Sequence, residues 1–139
     1  NGLPTERRVR ADDVVDTTRA LLVWEPRRIV PSYAVPEDDL RADVVPGTRG
    51  RSTAGAALID AVDLHFRSAG LSVRHDDPYR GGATTMRYGR PGAGVHAIQV
   101  ELNRDLYMDE AAYAITEPGF RQLRTAIGDL LVSLRDFKP

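Results

Sequence analysis

Glu101 closes the run His96-Ala97-Ile98-Gln99-Val100-Glu101-Leu102 and is the residue best placed to move a proton. A carboxylate at a strand end between Val100 and Leu102 is partly desolvated, which suits general acid/base work. The same residue also reads as an exposed strand-edge carboxylate, or as the ion-pair partner of Arg104. Upstream, Asp77-Pro78-Tyr79-Arg80-Gly81-Gly82 carries a second chemical signal. Adjacent glycines let a backbone approach a ligand closely, and a guanidinium beside Tyr79 can grip a carboxylate. The plain alternative is a proline-led turn with glycine at positive φ. Arg74, Arg80, Arg87 and Arg90 either line an anion site or form a solvated loop face.

His65, His75 and His96 lack the spacing of a zinc motif, and no His-Glu-x-x-His occurs. His65 lies beside an apolar helical stripe and reads as a satisfied, half-buried histidine. His75 ends a short strand, where it either binds a metal or caps a loop. His96 falls on the strand face opposite Glu101. A Walker loop, a Gly-x-Gly-x-x-Gly turn and a Gly-x-Ser-x-Gly elbow are all missing, which removes sequence support for nucleotide cofactors and serine hydrolysis.

Composition narrows the class further. The 139 residues are 42% hydrophobic and 28% charged, an ordinary balance for one compact domain or slightly more. Nineteen Lys+Arg against twenty Asp+Glu leave a net charge of -1, so no surplus of cations points to nucleic acid. The absence of cysteine excludes disulfides, thiolate metal sites and thiol nucleophiles. No apolar run approaches the ~20 residues of a membrane span. The residues after Asn1 lack the basic-then-apolar pattern of a signal peptide. A soluble, cytoplasmic protein is the expectation.

The elements that must position these residues fall into two parts. Residues 1–48 read as a β-rich segment of short strands, with Ala20–Trp24 the best of them. Prolines 26, 31, 36 and 46 forbid a long helix there. Pro46 to Ser52 reads as a linker or long turn, and residues 49–139 as an α/β region. That region starts with a helix capped by Ser52 or Thr53, burying Leu58, Ile59, Val62 and Phe66, and stopped by Gly70. Leu71–Arg74 and Thr84–Tyr88 read as short strands, and Val95–Leu102 as an interior strand covered on both faces. A long helix from Glu117 to Asp136 follows, its inner face formed by Phe120, Leu123, Ile127, Leu130, Leu131 and Leu134. The fold class is α/β, a mixed sheet with flanking helices.

Three runs in order, Asp77 to Gly82, Arg87-Tyr88-Gly89-Arg90-Pro91, and Gly94 through Glu101 to Glu110, resemble the N-formylglutamate amidohydrolase family over about residues 50–135. The resemblance implies a fold and mechanism like those of zinc carboxypeptidases, in which a glutamate at a strand end shuttles a proton. It implies a zinc cofactor and a small acidic amino-acid derivative as substrate. Glu101 falls at the place of that glutamate. Tyr79, Arg87, Arg90 and Arg104 are the candidates for holding the substrate. The zinc ligands of that family come from its N-terminal half and have no counterpart before residue 50, so the metal-binding residues stay unassigned. Residues 7–45 instead resemble the opening of a small β-rich domain family of unknown function. The alternative reading is a non-catalytic binding or assembly module that keeps the scaffold, paired with itself or with a partner chain.

Overall fold

The computed structural model describes residues 42–138. The strands expected before residue 42, Ala20–Trp24 among them, lie outside the described residues.

The first element, β1 (Val44–Gly47), is buried along its whole length. It pairs antiparallel with β2 (Gln99–Leu102), setting Val45 opposite Glu101 and Gly47 opposite Gln99. On its other side, Val44 N–H donates to Ser72 O, and the amides of Arg74 and Asp76 donate to Val44 O and Pro46 O. Val44 and Val73 thereby form a parallel bridge. Among the described residues β1, not Val95–Leu102, is the central strand. Among the described residues β1 is the only ladder partner of β2.

Between β1 and Val73 the chain crosses over through α1 (Ala56–Ser68), which buries Leu58, Ile59, Val62 and Phe66, the stripe its spacing predicts. Each such side chain contributes about 1.5–3 kcal/mol before entropy costs. Its N-cap is Gly55, not Ser52 or Thr53. Those hydroxyls are used elsewhere: Ser52 Oγ donates to Arg49 O, and the single proton of Thr53 Oγ1 is shared between Ala97 O at 2.7 Å and Thr48 O at 3.1 Å. Val44, Ala54, Val73, Leu130 and Leu134 complete the core around the α1 stripe.

The segment Thr84–Tyr88 is helix, not strand: α2 spans Ala83–Tyr88. Gly82 is extended, and its carbonyl accepts from Met86 N–H and from Thr85 Oγ1, which starts a turn that β-branched threonines alone would disfavour. A short 3₁₀ turn, Pro91–Ala93, follows, closed by an Arg90–Val95 bridge. The expected eight-residue strand shrinks to β2 because the residues before it bond sideways, with Ala97 N–H donating to Thr53 O. After a second 3₁₀ turn come β3 (Met108–Asp109) and β4 (Ala114–Ile115), a small hairpin. Helix α3 (Glu117–Arg135) closes the order. It buries Leu123, Ala126, Leu130 and Leu134, whereas Phe120 and Leu131 stand 38% and 48% exposed, so its inner face is narrower than its pattern predicts.

Of the two readings of Pro46 to Ser52, the structure contains the turn. Arg49, Gly50 and Arg51 all take positive φ, at 52°, 70° and 62°. The loop turns its amides inward onto Asp76. One carboxylate oxygen of Asp76 accepts from Thr48 N–H at 2.7 Å and Arg49 N–H at 2.9 Å. The other accepts from Gly50 N–H at 2.6 Å and Thr48 Oγ1 at 3.1 Å. Burial, the largest single influence, pushes this carboxyl up, but the hydrogen bonds together hold it below its ordinary value.

A folded-state pKa below the ordinary ~3.9 means that Asp76 stabilises fully above about pH 5 and loses this contribution as pH falls through its folded pKa. Asp76→Asn is expected to cost about 1.5–3 kcal/mol at neutral pH, since its amide turns donors toward donors. Urea midpoints of both proteins measured against pH should converge below about pH 4. A gap that stays constant down to about pH 2 would contradict the assignment.

Candidate active site

Glu101 is half-buried in β2 and shares a strand face with Gln99, two residues earlier. Val100 and Leu102 take the other face and pack on the core. Glu101 Oε1 accepts a short hydrogen bond from Gln99 Nε2. Gln99 Oε1 in turn accepts from Gly82 N–H at 2.7 Å. No other hydrogen bond reaches the Glu101 side chain among the described residues, which leaves Oε2 without a partner. Of the readings open in the sequence, the Arg104 pairing is not what the structure contains. Arg104 Nη2 lies 2.9 Å from Glu110 Oε2.

The double glycine works inside the protein. A Cβ on Gly47 would fall 2.4 Å from Gly81 N, and one on Gly81 would fall 2.6 Å from Thr85 Oγ1. Gly81 also sits at φ 91°. These glycines let loop 80–82 lie against the end of β1, which brings Gly82 within reach of Gln99. The remaining candidates are peripheral. Tyr79 is 53% exposed, Arg90 is exposed, and the Arg87 guanidinium lies 5.5 Å over the Tyr88 ring. Arg74 pairs with Asp77 at 3.4 Å. The structure thus joins Glu101 to Gln99 and the glycine loop, and leaves Tyr79, Arg87 and Arg90 on the surface.

Each histidine has an internal partner. His65 Nε2 donates to Ala126 O, tying α1 to α3, as expected of a satisfied histidine. His75 Nε2 lies 2.7 Å from Asp63 Oδ1. The Asp63 carboxyl is held below its ordinary value first by Arg67 and then by His75, against burial that raises it. His96 is buried, and its Nδ1 accepts from Gly55 N–H at 2.9 Å. His75 Nδ1 and His96 Nε2 are buried with no hydrogen-bond partner among the described residues. Three or more His, Asp or Glu side chains do not come together as a metal cradle among those residues, so they do not fit a zinc ion. A cleft of about 590 Å³ opens beside α3, lined by His65, Leu106, Arg121 and Leu123 among others. Neither Glu101 nor the candidate arginines line it.

A profile of the N-formylglutamate amidohydrolase family matches residues 13–108, more than half the chain. The chain belongs to the N-formylglutamate amidohydrolase family. It is 31% identical over 115 residues to the N-formylglutamate deformylase of Pseudomonas aeruginosa, an alignment spanning 81% of this chain and 43% of that protein. The crystal structure of N-formylglutamate amidohydrolase from Ralstonia eutropha JMP134 superposes with a TM-score of 0.60 at 33% identity, covering 68% of this chain and 33% of that one. The chain thus spans less than half the length of the relatives it matches.

The family match starts at residue 13, within the segment that resembles a β-rich domain in sequence. It ends at residue 108, after Glu101 and before α3. Gln99 and Asp76 are the residues that sequence reasoning missed. The i, i+2 spacing of Gln99 and Glu101 was the available signal for the first. Nothing local marks the second, because its partners lie at least 26 residues away. No helix among the described residues is long and apolar enough to cross a membrane.

The pairing of Arg104 yields a direct check. A double-mutant cycle of Arg104→Met with Glu110→Gln is expected to give a coupling of about 0.2–1 kcal/mol, as for a partly exposed pair. The cycle of Arg104→Met with Glu101→Gln should give none. Thermal or urea unfolding of the six proteins decides it, and coupling only in the Glu101 cycle would overturn the assignment.

Proposed function

We propose that this chain carries the amide-hydrolysing site of its family, with Glu101 as the acid/base and an N-acylated acidic amino acid such as N-formylglutamate as substrate. One observation carries the reading. Glu101 is a half-buried carboxylate with Oε1 fixed by Gln99 and Oε2 free of hydrogen bonds among the described residues. A carboxylate fixed at one oxygen and open at the other can take a proton and return it without reorganising. Oε2 accepts the proton of the attacking water as the C–O bond forms, then passes it to the amide nitrogen as the C–N bond breaks. Formate and the free amino acid result, and Glu101 returns to its starting state.

Arg87 and Arg90 are proposed to bind the substrate carboxylates, because a guanidinium offers paired donors that match a carboxylate. Tyr79 joins them from the same loop region, and Arg104 contributes through donors that Glu110 leaves over. Zinc, and with it a zinc-carboxypeptidase-like fold, belongs to this reading as a proposal only, since the described residues do not supply the ligands. The same observation favours a second reading, a non-catalytic module that retains the scaffold and binds a second copy or a partner chain. A cytoplasmic location is likewise proposed.

Formate release from N-formyl-L-glutamate by the full chain, assayed with added zinc, separates the two readings. Turnover that falls ~10²-fold or more in Glu101→Gln, with the melting temperature unchanged, is the expected result. Absence of formate from the wild-type chain, together with concentration-dependent dimerisation in sedimentation, would favour the module.

A further inference from the structure

Gln99 stands where two constraints meet, one from the sheet and one from the glycine loop. We propose that Gln99 is the positioning residue of Glu101, fixing which carboxylate oxygen faces the reaction. The inference rests on the proposed acid/base role of Glu101.

The geometry assigns both ends of the Gln99 amide. Its Oε1 accepts from Gly82 N–H at 2.7 Å, so its Nε2 is the end that turns to Glu101 Oε1. A flipped amide would set an N–H against an N–H at one end and an oxygen against a carboxylate at the other. Only one orientation satisfies both neighbours. Gly82 is itself immobilised, its carbonyl accepting from Thr85 Oγ1 at 2.9 Å and from Met86 N–H at 3.2 Å. The buried Thr85 anchors that turn.

The loop stays at this height over the sheet because Gly47, directly across from Gln99, has no side chain. Any Cβ there would enter the backbone of Arg80 and Gly81. Arg49 holds the loop from the far side, its N–H bifurcated between Asp76 Oδ1 at 2.9 Å and Arg80 O at 3.0 Å and its Nη1 donating to Gly81 O at 3.3 Å. Among the described residues no hydrogen bond joins the Glu101 side chain to these groups directly. Gln99 is the only described side chain that carries their rigidity to the carboxylate. Oε1 is thereby spent on Gln99, and Oε2 becomes the proton-handling atom.

Gln99→Glu and Gln99→Leu separate positioning from a merely structural role. Gln99→Glu keeps an acceptor for Gly82 N–H but removes the donor to Glu101 and puts a like charge beside it. Gln99→Leu removes both bonds. The expected results at pH 8 are a melting temperature lowered by the like charge but Gly82 amide protection retained in Gln99→Glu, with Glu101 Cγ mobile by ¹³C relaxation in both variants. For N-formyl-L-glutamate, kcat should fall ~10- to 100-fold in Gln99→Glu while KM holds. A Glu101 side chain as ordered in Gln99→Glu as in the wild type would overturn the proposal, as would an unchanged kcat. A wild-type chain that releases no formate but loses Glu101 order in both variants would overturn the hydrolase reading and uphold the positioning.

Discussion

The carboxylate of Asp76 is the constraint on which the described structure depends. Loop 48–51 holds three successive residues at positive φ, two of them arginines that gain nothing from that conformation. Such a loop does not persist on its own local preferences. Three backbone amides and one hydroxyl converging on a single carboxylate supply what the backbone lacks. Asp76 is at φ 56° itself, so both sides of this contact carry strain that the hydrogen bonds must offset.

The consequences run outward from that contact in two directions. Toward the core, Thr48 O accepts from Thr53 Oγ1, and Thr53 also bonds Ala97, which fixes the approach to β2. Toward the surface, Arg49 holds the carbonyls of Arg80 and Gly81, which sets the height of the glycine loop over β1. Gly82 then reaches Gln99, and Gln99 reaches Glu101. The half-buried carboxylate of Glu101 is held by a chain of polar contacts that starts at a turn. Val100 and Leu102, on the opposite strand face from Glu101, tie β2 to the hydrophobic core.

What the sequence made legible follows from periodicity. The α1 stripe repeats at helical spacing, and all four of its predicted side chains are buried. Helix α3 was equally visible in extent, but its breadth was misread. Phe120 and Leu131 sit on the helical pattern, yet they stand exposed and are not among the side chains packed against the core. Thr84–Tyr88 carried strand propensity and became helix, because the Gly82 carbonyl and the buried Thr85 outweigh a propensity worth a few tenths of a kcal/mol per residue, to order of magnitude. Pro46 to Ser52 left linker and long turn both open for a different reason: glycine and charge mark a turn, but only the distant Asp76 says whether it is loose. Glu101 was legible as a carboxylate at a strand end. Its tie to Gln99 was not, since side-chain hydrogen bonds leave no period in the sequence.

Amide hydrogen exchange in Asp76→Ala against the wild-type chain tests the link between the Asp76 contact and the site most directly. Loss of the carboxylate is expected to speed exchange at Thr48, Arg49 and Gly50 by at least about 10-fold, and to speed exchange at Gly82 with them. Ile59, whose N–H bonds Gly55 O within the packed helix, should keep its protection. Faster exchange at the three loop amides with Gly82 unchanged would contradict the account, because the glycine loop and Glu101 would then be held independently of Asp76.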